Sequence, residues 1–243
     1  DELFPAEARG ERVWILGHVA TGWDGSQSLE KPSNLFYQIV SRFAPHTIAA
    51  IFFGHTHQDH FSVFYRATSG RSADAPRRTA GAVTVALNAP SVTPESNVNP
   101  SFRVYLVDPT TYDIYDWDQY YTDVDAFATS AHGPVWHHLY RARDTYGDFH
   151  ASVQDGQYTA HVALDGTHWP RGAPLNATFW SAVTDEMEAR PELLTTFSRL
   201  QSRRSSRASV CTDHDCRRAN VCYMRSATAA QGRSCPSGFG SVV

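Results

Sequence analysis

Lysine is almost absent from this chain. Its 243 residues include 20 arginines but only one lysine, Lys31, and the formal net charge is −4. Apart from Arg203-Arg204-Ser205-Ser206-Arg207 there is no basic block, which argues against a nucleic-acid partner. That short run reads as a solvated helix end. No apolar run approaches the roughly 18 residues of a membrane-spanning helix. Cysteine is confined to the tail: Cys211, Cys216, Cys222 and Cys235 all fall in the last 33 residues. Carboxylate chemistry is also missing. A two-metal hydrolytic centre needs bridging and terminal oxygen ligands, yet Asp-x-His, Gly-Asp-x-x-Asp and Gly-Asn-His do not occur as a connected set. Asp59-His60 and Asp213-His214-Asp215 are adjacent pairs with no strand leading into them. The chain opens at Asp1-Glu2-Leu3, with neither an initiator Met nor a signal peptide. The expectation is a downstream piece of a larger enzyme.

What is present is histidine at strand ends. Thr47–Phe53 reads as a buried strand and leads into Gly54-His55-Thr56-His57-Gln58-Asp59. Two imidazoles at i and i+2 in a loop can be aimed into one cleft, which a regular helix does not allow. Upstream, Val13-Trp14-Ile15-Leu16 runs into Gly17-His18. Neutral imidazole is the commonest protein ligand for zinc-type metals, so two Gly-His corners suggest a metal centre. Between them Leu35, Phe36, Ile39, Val40 and Phe43 recur at helical spacing, with Ser33 or Asn34 as N-cap. The result is strand–helix–strand, with both corners at the sheet edge where α/β folds place their sites.

The motif order resembles that of the acid sphingomyelinase family of calcineurin-like metallophosphoesterases. The similarity is carried by Gly17-His18 with Gly22, by Phe52-Phe53-Gly54-His55-Thr56-His57 with Asp59, by Asn34–Val40, and by Asn99-Pro100-Ser101-Phe102-Arg103-Val104-Tyr105. It continues through Trp136 with Leu139-Tyr140-Arg141-Ala142-Arg143 and Tyr146-Gly147, to the cysteine group. This resemblance implies a zinc-dependent phosphodiesterase that hydrolyses sphingomyelin to ceramide and phosphocholine. It implies two zinc ions shared with an upstream N-terminal half, His18 and His55 on one ion and His57 on the other. The general-acid histidine and the carboxylates would lie upstream. Asp59 is expected to fix the loop or a ligand imidazole by a hydrogen bond. Asn34, Tyr37 and Asn99 are candidates for the substrate mouth, and His60 for the cleft rim. The family pattern implies the pairs Cys211–Cys216 and Cys222–Cys235; the cysteine spacing alone leaves three pairings open. The same motifs fit a relative acting on nucleotides or other soluble phosphoesters, and the chain alone could be inactive.

An even, clustered cysteine count and the sequon at Asn176 suggest a secreted or lysosomal-type compartment. A lipid substrate would imply transient contact with a membrane surface. The expected fold is α/β: the C-terminal half of a metallophosphoesterase sandwich over 1–132, then a helical, disulfide-stapled subdomain over 133–243. In the first part, 61–65, 82–87 and 102–107 read as a strand meander and Arg66–Arg78 as a surface loop. In the second, Val135, Trp136, Leu139 and Tyr140 read as a helix face. Phe179, Trp180, Val183 and Met187 form a further stripe, and Pro191 starts another helix with Leu193, Leu194, Phe197 and Leu200.

Overall fold

A computed structural model describes residues 2–66, 79–127, 130–149 and 168–241. After a short helix α1 (Leu3–Ala8), strand β1 (Val13–Leu16) runs parallel to β2 (Ile48–Phe53), with Leu16 opposite Phe52. Helix α2 (Glu30–Phe43) makes the crossover that parallel strands require. β3 (His60–Tyr65) and β4 (Ala82–Asn88) form an antiparallel pair, and β4 is inserted between β2 and β3, giving the order β1-β2-β4-β3. A second, antiparallel sheet contains β5 (Ser101–Val107), β6 (Ile114–Tyr121) and β7 (His137–Arg141). The sequence meander therefore holds for β3 and β4, whereas β5 opens a new sheet.

Two apolar cores flank the first sheet. On one side Val40 and Phe43 of α2 pack with Ile48, Ile51, Phe53, Phe64 and Ala86. On the other, Ala50, Phe61, Val63, Val85 and Leu87 join the second sheet and the later helices. Burial on both faces explains why β2 is a continuous apolar run rather than an alternating one. Trp180 centres this second core: it lies 1% exposed, stacked on Trp117 at 5.1 Å and 4.5 Å from Phe61. It belongs to α5 (Ala177–Ala189), which is followed by α6 (Pro191–Gln201), α7 (His214–Met224) and α8 (Ala229–Arg233). Short helices α3 (Val124–Phe127) and α4 (Ala142–Tyr146) flank β7.

The apolar stripes of α5 and α6 are buried as expected, and Pro191 occupies the first turn of α6. Two expectations are corrected, and one strand is added. Residues 137–141 form a strand, not a helix, because His138, Tyr140 and Arg141 pair with β6; the sheet thus spans residue 132. Helix α2 begins at Glu30, ahead of Ser33 and Asn34, and Ser33 bonds its hydroxyl to Glu30 O instead of capping. β6 carried no sequence signal, its Asp and Gln residues breaking the apolar pattern. Beyond Arg66, the loop expected over Arg66–Arg78 lies outside the described residues. Among the described residues no helix is long and apolar enough to cross a membrane. The cysteines pair as Cys211–Cys216 and Cys222–Cys235, which excludes a four-thiolate metal site.

Candidate metal centre

Because β1 and β2 are parallel neighbours, Gly17-His18 and Gly54-His55 leave the sheet at the same edge. The main chain joins the two loops, Gly54 N donating to His18 O at 2.9 Å. His55 and His57 both adopt left-handed backbone, with φ of 70° and 58°. That conformation is costly for non-glycine residues and persists only where the surroundings enforce it.

His18 Nε2 and His55 Nδ1 lie 3.3 Å apart, and the rings meet edge to face at 5.1 Å. His55 Nε2 is 3.0 Å from Gln27 Oε1. A carbonyl oxygen only accepts, so Nε2 carries the proton and the Nδ1 lone pair faces His18. Two nitrogens each about 2.0–2.1 Å from one tetrahedral ion would stand roughly 3.3 Å apart. The pair therefore fits the imidazole share of a zinc-type site, and Gln27 supplies the outer hydrogen bond that ligating imidazoles usually make. His57 is held separately. Its Nδ1 is buried without a hydrogen bond, and Glu95 Oε2, 3.9 Å away, is too far to make one. Among the described residues no group of three or more His, Cys, Asp or Glu side chains is placed to hold an ion. The imidazoles thus fit part of a metal centre, while the oxygen ligands of a two-ion centre are not among them.

Beneath the second loop lies a polar floor. Thr56 Oγ1 is 2.9 Å from His60 Nε2 and accepts from Asn88 Nδ2 at 2.9 Å; Asn88 Nδ2 also donates to Gln58 O at 2.8 Å. His60 is not at the cleft rim. It is 2% exposed and stacked on Trp23 at 4.1 Å, and burial pushes its pKa down to about 3. Asp59, 6% exposed, accepts from Arg103 Nη2 and from Tyr140 Oη at 2.6 Å. Its carboxylate therefore ties the loop to β5 and β7 rather than to a ligand imidazole.

Arg203 was read as part of a solvated run, yet it is 0% exposed while its neighbour Arg204 lies at the surface. Its guanidinium donates to Asn99 O at 2.7 Å and to His57 O, and burial lowers its pKa to about 10. A run of arginines carries no signal for which member turns inward. Asn99 answers by donating to Arg203 O at 3.0 Å and accepting from Val124 N at 3.1 Å, so it is an interior tie. Tyr37 donates its hydroxyl to Tyr65 O and stacks on Phe64 at 6.0 Å, locking α2 to β3. Asn34 is half-buried on α2. Asn176 is exposed and caps α5, accepting from Phe179 N at 3.1 Å.

The first loop rests on the tail instead. Trp23 N donates to Ser226 O at 3.0 Å and Thr21 Oγ1 to Ala227 O at 3.1 Å. A Cβ on Gly22 would stand 2.0 Å from Ser226 O, so only glycine permits this approach.

Paired imidazoles at the edge of a two-sheet α/β fold with a disulfide-stapled helical end are what the phosphodiesterase resemblance implies, and comparison with known proteins bears that resemblance out. The chain is similar to sphingomyelin phosphodiesterases. It is 39% identical over 147 residues to sphingomyelin phosphodiesterase 1 of Caenorhabditis elegans, covering 60% of this chain and 24% of that protein. Against sphingomyelin phosphodiesterase of Homo sapiens it is 38% identical over 151 residues, 60% of this chain and 22% of the other. Sphingomyelin phosphodiesterase 2 of Caenorhabditis elegans aligns over 98% of the chain at 27% identity, 33% of its own length. The chain thus spans between about a fifth and a third of these relatives, in their C-terminal part. No protein-family model matches it.

Proposed function

We propose that this chain is the C-terminal portion of a zinc-dependent phosphodiesterase that hydrolyses sphingomyelin to ceramide and phosphocholine. The observation that carries the reading is the facing pair His18 Nε2 and His55 Nδ1, 3.3 Å apart at two sheet-edge corners, in a chain similar to named sphingomyelin phosphodiesterases. His18 and His55 would hold one ion and His57 contribute to a second. A pair of dications supplies charge neutralisation at the phosphoryl oxygens and an activated water for in-line displacement. Gln27 fixes the His55 tautomer, Arg203 anchors His57 through its carbonyl, and Asp59 with Arg103 holds the loop to the second sheet.

The remaining oxygen ligands and the general acid would come from an upstream segment of the same enzyme. Support comes from the share of the relatives that the chain leaves uncovered and, among the described residues, from the lack of a group of three or more His, Cys, Asp or Glu side chains placed to hold an ion. Two disulfides and an exposed sequon at Asn176 favour a secreted or lysosomal-type compartment. A sphingolipid substrate requires transient approach to a membrane surface.

The test is phosphocholine release from sphingomyelin vesicles by the chain assembled with its upstream segment and zinc, beside the same assembly with His55→Ala. Release that depends on His55 is expected. Hydrolysis of ATP or other soluble phosphoesters without phosphocholine release would replace the lipid reading with the nucleotide one. Equal activity with and without His55 would reject both.

A further inference from the structure

Three buried polar atoms beneath the histidine loop have no protein partner: His60 Nδ1, Ser62 Oγ and Asn88 Oδ1. They are neighbours on the sheet. His60 and Ser62 lie two apart on β3 and so share a face, and Asn88 on β4 pairs with His60 across the ladder. All three residues line one cavity of about 10 Å³, together with Thr21, Phe53 and Phe64. This is about the least space that holds a single water molecule.

The surrounding bonds fix which of these atoms donate. Asn88 spends both Nδ2 hydrogens, on Thr56 Oγ1 and on the carbonyl of Gln58, which leaves its Oδ1 as the amide atom without a partner. Thr56 Oγ1 accepts that bond and a longer one, 3.5 Å, from Gln58 N. Its own hydrogen is then directed at His60 Nε2, 2.9 Å away. Nε2 accepts, so the neutral imidazole carries its proton on Nδ1. Neutrality is supported by the burial that holds the His60 pKa near 3. The cavity therefore presents one N–H donor, one amide oxygen acceptor and one hydroxyl that can serve either way. A metal cation is a poor occupant, because the Nδ1–H would point at it. Water satisfies all three: it accepts from Nδ1–H, donates to Asn88 Oδ1 and shares its other hydrogen with Ser62 Oγ. Leaving three such atoms unmet would cost far more than immobilising one water.

We propose that a single water molecule is an integral part of this fold, bound by His60 Nδ1–H, Asn88 Oδ1 and Ser62 Oγ, and that it completes the polar floor on which Thr56, between His55 and His57, is seated. The proposal does not depend on the enzymatic reading. It is tested on the 243-residue chain itself. A high-resolution crystal structure is expected to show one ordered water within about 3 Å of all three atoms. Imidazole ¹⁵N spectra are expected to show His60 protonated at Nδ1 alone, with water-to-His60 transfer in water-selective NMR experiments. Ser62→Val, which fills the space, is expected to remove the water and abolish that transfer while the His60 ring stays stacked on Trp23. No density at the three atoms, an ion at coordination distance, or His60 protonated at Nε2 would each overturn the proposal.

Discussion

The two Gly-His loops stand side by side but are held in place by different means. The loop after β1 lies against the tail, and its bonds end on backbone carbonyls: Trp23 N donates to Ser226 O, the Thr21 hydroxyl to Ala227 O and Arg233 Nε back to Gly25 O, with a glycine at Gly22 that lets the chains touch. The loop after β2 is held from below by buried side chains: Thr56, His60 and Asn88, the Asp59–Arg103–Tyr140 group, and Arg203 on the His57 carbonyl. One imidazole of the pair thus depends on a disulfide-closed segment, the other on a polar interior. The aim of His18 should therefore respond to the tail, and that of His55 and His57 to the floor.

The largest separation is expected from Asp59→Ala. It removes the carboxylate facing Arg103, whose side chain is 2% exposed, and leaves a buried cation unpaired. Breaking such a pair typically costs about 3–5 kcal/mol. Urea unfolding should show a loss of that order, and amide exchange should quicken in the second loop while the Trp23 amide keeps its protection. Equal loss of protection in both loops would mean that they form one unit.

The complementary break is the double substitution Cys222→Ser and Cys235→Ser. That disulfide closes the segment carrying Ser226 and Ala227. Removing a bridge of this kind costs about 2–4 kcal/mol. The Trp23 amide should exchange faster, His18 lose its fixed position against His55 and the His60 ring shift with its Trp23 stack, while the Thr56 amide keeps its protection. Gly22→Ala sharpens the same point with less disturbance, because its added methyl meets Ser226 O. Overpacking of this sort costs about 1–3 kcal/mol, and the Thr56 amide should again keep its protection.

How much of this was legible follows from what each residue type signals. The parallel strands and the common edge of His18 and His55 were readable, since apolar runs ending in Gly-His specify both the strands and the edge they leave; the pairing of the two imidazoles was implied by the family resemblance alone. The stripe of α5 was readable because Phe179, Trp180, Val183 and Met187 repeat with a helical period and all are buried. The floor was not. His60, Asn99 and Arg203 are polar residues whose inward turn depends on partners 4, 25 and 104 to 146 positions away, and no local pattern encodes that. β7 was misread because Val135, Trp136, Leu139 and Tyr140 fit a helical stripe, while the partner that makes residues 137–141 extended, β6, had given no signal of its own.

The smallest effect, taken per pH unit, concerns His60 and sharpens the contrast between floor and tail. Burial lowers its pKa to about 3 from an ordinary 6.5, with Asp24 opposing the shift and Arg103 reinforcing it. Between those values the unfolded chain binds a proton that the folded chain refuses, so stability must fall as pH falls through the window. The slope from this one group is about 1.4 kcal/mol per pH unit. Above about pH 6.5 both states are neutral at this site and the contribution is flat. Urea midpoints measured from pH 7 down to pH 4 should decline more steeply for the native chain than for His60→Gln, which cannot titrate. The tail contributes no such slope through its cysteines, since those in disulfides do not titrate. Acid should therefore loosen the loop of His55 and His57 before that of His18. Parallel midpoint curves for the native chain and His60→Gln would show that the ring is reached by protons in the folded state and that the floor is more open than its burial implies.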